Sequence, residues 1–298
     1  MGNWIWYFII LGAFTVVYGC ILWFVIPDSP MKAPWLGERD RTLAVERVRD
    51  NRTGIMNHQW KWYQFREAIL DPQVWLFVVI EFLGDIPSGG VASYGNIVIH
   101  GLGYSPIRTT LLQMPLGAIQ GFTIILSGLC CRYFKNVRWI VMILTQIPGL
   151  VGAVLLYTLP SSHKKSRLAS YYVIQTHSIN SVMEYAIATS NVAGTTKKTT
   201  TSALIFISFC VGQVAAPQLF VDSEAPRYPT AFKAAFSCFA LLLVVPVFLM
   251  LYLRFMNKKR DRQFGFTNPY APRAEADTGD EFLDMTDWKQ KSKFRYVY

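Results

Sequence analysis

The sequence has 298 residues, 52% of them hydrophobic and 16% charged, with a mean hydropathy of +0.26. A charged share this far below the quarter usual for soluble domains argues against an ordinary water-soluble fold. The net charge of +10 does not mark a nucleic-acid binder, because the basic residues lie between apolar runs and not along one solvated, aromatic-lined face.

A hydrocarbon core about 30 Å thick needs about 20 apolar residues per helix. Seven stretches meet that requirement: Trp4 to Ile26, Val74 to Ile99, Thr109 to Cys131, Trp139 to Leu159, Ala169 to Ala193, Thr201 to Val221 and Phe232 to Phe255. The first has no basic residue before it and no small-residue cleavage site after it, so it reads as a span and not as a secretory signal. "PDSP" then ends that helix and opens a polar linker to Pro72. Within the linker, "ERDRTLAVERVRDNRTG" mixes charges around Leu43, Val45 and Val48, and predicts a short surface helix stopped at Gly54. The sequon at Asn51 lies on the side expected to escape glycosylation.

The second span carries Glu81 and Asp85 at i and i+4, on one helical face. Ionisable groups at membrane depth are costly and mark ion or substrate pathways. Two carboxyls in a poorly solvated site repel, which favours a proton on one of them; in a wet vestibule both would be ordinary carboxylates. Ile86-Pro87-Ser88-Gly89-Gly90 follows, with Pro87, Gly89 and Gly90 as a helix break lining a cavity or as a packing kink. In the third span Gln113, Gln120 and Ser127 recur on one side as candidate cavity lining, while Gly117 and Gly121 form a GxxxG packing pair. The fifth span places His177, Asn180, Glu184 and Asn191 in one polar stripe, which should face the bundle interior or a pore. After Phe255 comes a polar tail, expected to be disordered or loosely docked.

With loops assigned alternately, 18 Lys and Arg fall on one side and 6 on the other, which predicts an odd number of spans with the tail in the cytoplasm. The five cysteines lie in or at the ends of apolar runs without CxxC or zinc-type spacing, so they read as buried fillers, with adjacent Cys130 and Cys131 also open to acylation. No metal site and no cofactor is expected. HExxH, GxSxG and Walker patterns are absent, "GLGYSP" lacks a third glycine, and Asp85 is the single aspartate inside a span, so the chain does not read as an enzyme. No repeated filter-like loop or charge ring favours a channel.

Many separated segments, in order, resemble one family: "PDSP", "AVERVRDNRTGI", "DP" at Asp71 with Trp75, "IPSGG", "YGNIVI", "GLGYSP", "LLQMPLGA", "NVAGTTKK", "GQVAAPQLF", "FLDMTD" and "FRYV". The sequence resembles the allantoate permease branch of the anion:cation symporters, within the major facilitator superfamily. That resemblance implies an all-α membrane protein with seven transmembrane helices. Residues 1–27 would be the sixth of twelve helices, 28–73 the central cytoplasmic loop, 74–255 the six-helix C-terminal bundle and 256–298 a cytoplasmic tail, with helices one to five missing. Where the family tends to show Asn before "IPNGG", this chain has Asp85 and Ser88.

The function implied is proton-coupled symport of a small organic anion or a ureido or peptide-like nutrient across the plasma membrane. Asp85 or Glu184 would take the proton, and Asn96, Gln113, Asn180, Asn191 and Gln213 would hydrogen-bond the solute. With no Lys or Arg at mid-depth in any span, an anion's countercharge would come from helix dipoles near Pro87 or from an N-terminal half. Expected partners are the lipid bilayer, solute, protons and an N-terminal half or full-length relative; no nucleic acid is expected. The alternative is a non-transporting membrane fragment that regulates or binds a full-length transporter.

Overall fold

Helices account for nearly all of the regular structure in the computed structural model, which describes residues 3–27, 33–49, 59–101, 103–134, 137–160, 163–225, 228–265, 284–292 and 294–297. The sequon at Asn51 and the stop at Gly54 lie outside them. Two units separate: residues 1–54 with 272–283, and residues 55–271 with 284–298. The first unit carries α1 (Asn3–Val25), apolar throughout, and α2 (Glu38–Arg49), the short linker helix expected from its charge pattern. Glu38 and Asp40 in its first turn suit the positive end of the helix dipole.

The second unit contains α3 (Trp62–Leu70), α4 (Pro72–Gly101), α5 (Pro106–Tyr133), α6 (Arg138–Thr158), α7 (Lys164–Ile174), α8 (Ile179–Asn191), α9 (Thr195–Gln218) and α10 (Pro229–Phe264). Pro72 opens α4 where its missing N–H costs nothing, and the Asp71 Oδ1 caps the helix by accepting from the Gln73 N–H at 3.0 Å. Gly194 precedes α9 at φ 92°, a conformation that suits glycine. A glycine has no side chain to cap with, so the Gln64 Oε1 from α3 accepts from the first-turn N–H groups of Thr196 and Lys197 instead.

Among the described residues six helices are long and apolar enough to cross a membrane: most of α1, together with α4, α5, α6, α9 and α10. The fifth expected span is not one α-helix; a 3₁₀ turn at Gln175–Ser178 separates α7 from α8. The path nevertheless crosses the bundle once. Tyr171 lies against Gly95, Asn180 against Gly84, and the Gln73 Nε2 donates to the Asn191 carbonyl at 3.3 Å, so α7 and α8 together run antiparallel to α4. In contrast, α9 runs parallel to α4: Ser208 donates to the Val78 carbonyl at 2.6 Å, Gly212 abuts Asp85 and Phe220 stacks on Tyr94 at 4.4 Å. Parallel neighbours require an odd number of traversals between them, which α5, α6 and the broken helix supply.

The core lies where α4, α6, the broken helix and α10 meet, and includes Phe77, Ile80, Met142, Leu156, Ile174, Phe239, Leu242 and Leu249. α5 is the least buried of the long helices in this unit. The packing expected at its Gly117 and Gly121 is not made, since nothing lies within 4 Å of either added Cβ. No helix break occurs at Pro87, Gly89 and Gly90 either: α4 is helical from Pro72 to Gly101 with Pro87 inside it. Those small residues instead let α9 come close, because a Cβ at Gly89 would sit 2.8 Å from the Ala216 Cβ. A continuous helix has no N-terminus near Pro87, which removes the dipole proposed there as an anion's countercharge. All five cysteines are free, and Cys238 alone is buried; Cys20 and Cys210 are exposed.

Candidate functional site

Two close approaches build the centre of the bundle. A Cβ on Gly212 of α9 would stand 2.7 Å from the Asp85 Cβ, and one on Gly84 of α4 would stand 2.9 Å from the Asn180 Nδ2. The Gly212 contact leaves no room for a side chain, so glycine there is what lets α9 lie against α4, while at Gly84 the neighbour is the end of the Asn180 side chain. The result draws three carboxyls together near the middle of the apolar stretch Pro72–Ile97: Glu81 and Asp85 on one face of α4, and Glu184 on α8. All three are at most 2% exposed and within electrostatic reach of one another.

Their hydrogen bonding is sparse. The Gln213 Nε2 donates to the Asp85 Oδ1 at 3.3 Å, and Ser181 lies beside Glu81. No ordinary donor reaches either Glu184 oxygen, one of Glu81 or one of Asp85, while the Glu81 and Glu184 carboxyls lie within hydrogen-bond reach of each other. Among the described residues no Lys or Arg interacts with any of the three. Further buried polar groups lie on the neighbouring helices. The Gln146 Nε2 from α6 donates to the Asn180 Oδ1 at 3.4 Å, and the Asn180 Nδ2 is unpartnered. His177, in the 3₁₀ turn, places Nδ1 2.6 Å from the Ile174 carbonyl, so Nδ1 carries the proton and Nε2 is left as a bare acceptor. Its ring lies edge-on to Phe239.

Just past Asp85 along α4 an apolar cleft opens between α4, α7, α9 and α10, lined by Ile86, Pro87, Gly90, Tyr171, Phe220 and Phe232 among others. Tyr171 is buried with its hydroxyl unpartnered, close to Gly95 and to Gln113 of α5. Gln120 is half-buried and accepts from the Gln175 Nε2 at 3.4 Å. Thus Glu81, Asp85, Glu184, Asn180 and Gln213 come together, His177 packs against Phe239 and the Ile174 carbonyl, Gln113 lies by Gly95 and Tyr171, Gln120 pairs with Gln175, and Asn96 is exposed at the far end of α4. Asn191, assigned by periodicity to the same stripe, points elsewhere: its amide pairs with the backbone of Val297.

Sequence reasoning missed Gln146 and Tyr171. Gln146 stood alone in an apolar run, and the depth argument used for the acids would have found it. It also missed a second charged site, at the end of the bundle where α4 and α9 begin. There the Lys197 ammonium, fully buried, donates to the Asp71 Oδ2 at 2.7 Å and the Asp287 Oδ1 at 2.8 Å, with the Trp288 ring 4.9 Å away. The tail read as disordered or loosely docked is packed against this end over the described residues 284–292 and 294–297, with Asp287, Phe294, Arg295 and Tyr296 buried.

A family model, the Major Facilitator Superfamily, matches residues 1–217. The chain belongs to the major facilitator superfamily. It is 35% identical over 296 residues to an uncharacterized transporter of Schizosaccharomyces pombe, covering 99% of this chain and 56% of that protein. It is 30% identical to the allantoate permease of Saccharomyces cerevisiae over 97% of this chain and 54% of the permease, and 28% identical to a thiamine pathway transporter of the same yeast, over 98% and 54%. The chain therefore spans about half the length of these curated relatives. No solved structure matches it. As a superfamily member with six long apolar helices, it is an integral membrane protein of a transporter family.

Proposed function

We propose that this chain forms the proton-handling half of a symporter for a small organic anion or a ureido or peptide-like nutrient. The observation that carries the reading is the carboxyl cluster of Glu81, Asp85 and Glu184 at mid-depth, which no described Lys or Arg pairs with. An ionised carboxylate deprived of both water and a counterion is strongly disfavoured, so such a cluster is stable when protons neutralise it. Releasing a proton becomes affordable when water or a hydrogen-bonding solute reaches the site, which ties proton occupancy to solute occupancy.

The 30% identity to a protein named allantoate permease supports an organic-anion or ureido solute. The apolar cleft beside Asp85, with Gln213 and Tyr171 as donors, suits a small body with a few polar atoms. The partly open side carrying Gln113, Gln120 and the unpacked Gly117 and Gly121 is proposed to face the complementary half. The tail end, rich in Lys and Arg, is proposed to be cytoplasmic and the membrane to be the plasma membrane.

The test is uptake of labelled allantoate by proteoliposomes holding this chain together with the N-terminal half of a full-length relative. Acid outside should drive accumulation, Asp85→Asn and Glu184→Gln should abolish the pH dependence, and this chain alone should give no uptake. Accumulation that ignores the pH gradient, or survives both substitutions unchanged, overturns proton coupling. Co-purification with a full-length relative combined with no uptake under any condition would favour the regulatory fragment instead.

A further inference from the structure

A solute anion needs a countercharge, and the carboxyl cluster carries the wrong sign. With α4 helical through Pro87, no helix N-terminus stands beside the cleft to provide one. Among the described residues, Arg167 is placed to do so. α7 runs antiparallel to α4, so it begins at the end of the bundle away from the tail. Lys164, Lys165 and Ser166 in its first turn are exposed, whereas Arg167 is only 5% exposed.

Helix geometry fixes the direction of that side chain. Ser170, Tyr171 and Ile174, also buried, follow Arg167 by three, four and seven residues, so at about 100° per residue all four share one face of α7. That face has two neighbours. A Cβ on Gly152 of α6 would lie 2.7 Å from the Ser170 carbonyl oxygen, and the Tyr171 hydroxyl lies against Gly95 of α4. Arg167 therefore enters the bundle between α6 and α4, one turn beyond Tyr171. Tyr171 and Ile174 line the apolar cleft, which begins at Ile86, next to Asp85. The cleft thus has two unlike ends: the Asp85 carboxyl with its Gln213 donor at one, and beyond Tyr171 a guanidinium at the other.

Burying a guanidinium in a membrane-spanning bundle is costly, and ionisable groups kept there mark solute paths. Its planar fork of donors matches a carboxylate, and out of water few competitors weaken the pair. Arg108, Lys164 and Lys165, exposed at the same end, add attraction for an approaching anion.

We propose that Arg167 is the anion-recognition residue of this half: it takes the solute's carboxylate at the far end of the cleft, while the uncharged, hydrogen-bonding part of the solute is directed along the cleft toward Gln213 and Asp85. The opposite orientation would set the solute's carboxylate against Asp85, Glu81 and Glu184. The inference rests on the solute-transport reading and deepens it, by naming the group that makes an anion acceptable to a half whose central charges are all acidic.

The test is equilibrium binding, which needs neither a gradient nor turnover. This chain is co-purified in detergent with the N-terminal half of a full-length relative, and the probes are labelled allantoate and labelled allantoin, an uncharged ureide. The unaltered complex should bind allantoate more tightly. Arg167→Gln should weaken allantoate binding about tenfold or more and erase its advantage over allantoin. Arg167→Lys, which keeps the charge and loses the fork, should retain part of that advantage. No advantage for allantoate in the unaltered complex, or an advantage kept in Arg167→Gln, would overturn the assignment. So would failure of both variants to fold, which would make the guanidinium a structural group. Proton coupling is read from Asp85→Asn and Glu184→Gln in the uptake assay, so the two proposals fail separately.

Discussion

Two charged sites lie in the same bundle and are built on opposite terms. At the tail end, Lys197 is buried between Asp71 and Asp287, and Tyr296 and Arg260 extend the network until nearly every polar atom has a partner. At mid-depth, Gln213 donates to Asp85 and Ser181 to Glu81, and among the described residues no Lys or Arg pairs with Glu81, Asp85 or Glu184. Burial is equally deep in both, so solvent exposure does not separate them. What separates them is whether the charge is matched by protein groups, which gives rigidity, or left without protein partners, which is what the proposed proton-handling role requires.

The comparison can be broken most easily at Lys197. Lys197→Ala leaves Asp71 and Asp287 facing each other without their shared cation, and should cost about 3–5 kcal/mol, read as a large drop in thermal unfolding temperature in detergent. Gly212→Val pushes a side chain into Asp85 and should cost about 1–3 kcal/mol by overpacking, with the carboxyl cluster disturbed as well. Glu184→Gln keeps the shape and removes an unpartnered acid, so stability should change by less than about 1 kcal/mol while pH-dependent uptake disappears. If Glu184→Gln instead unfolds the chain as Lys197→Ala does, the cluster is a structural network and the contrast fails.

The smallest effect concerns acid. Burial pulls the Asp284 carboxyl upward, but Lys61 and the Thr195 N–H more than offset it and hold it below the ordinary range. Its folded value lies beneath its unfolded one, so its stabilisation is present above the ordinary carboxylate range and fades as pH falls through the folded value. Hydrogen exchange at Tyr296 and Val297, corrected for the intrinsic rate, should show protection falling as the pH drops below the ordinary carboxylate range, with α10 unchanged. Tyr296 adds nothing to this profile, because burial and the Asp287 carboxylate push its phenol upward and keep it a donor.

Depth and period made the mid-bundle site legible. An acid in an apolar run is conspicuous, and the i, i+4 spacing of Glu81 and Asp85 put them on one face. Steps of three and four linked His177, Asn180 and Glu184 even across a 3₁₀ turn that the pattern gave no sign of. The same period misplaced Asn191, because direction around a helix says nothing about which neighbour lies at its end. Pro87 with two glycines suggested a break, yet here the small residues serve a close parallel helix, a tertiary fact with no local signature. Lys197, Asp71 and Asp287 were unreadable for a related reason. Each looks like an ordinary loop charge, and only the fold brings residues that far apart in the chain into one ion pair.

The side-chain amides of Asn191 and Asn257 each pair with the N–H and the carbonyl of one tail residue, Val297 and Tyr296 respectively, and such bonds ignore what hangs from the backbone. Side chains at 297 are therefore free to vary over evolutionary time, whereas Tyr296 is also held by its buried ring and by its hydroxyl's bonds with Arg260 and Asp287. Proline is the exception, since it has no N–H to offer either amide. Among natural variants of this tail, proline should be the residue never found at these two positions.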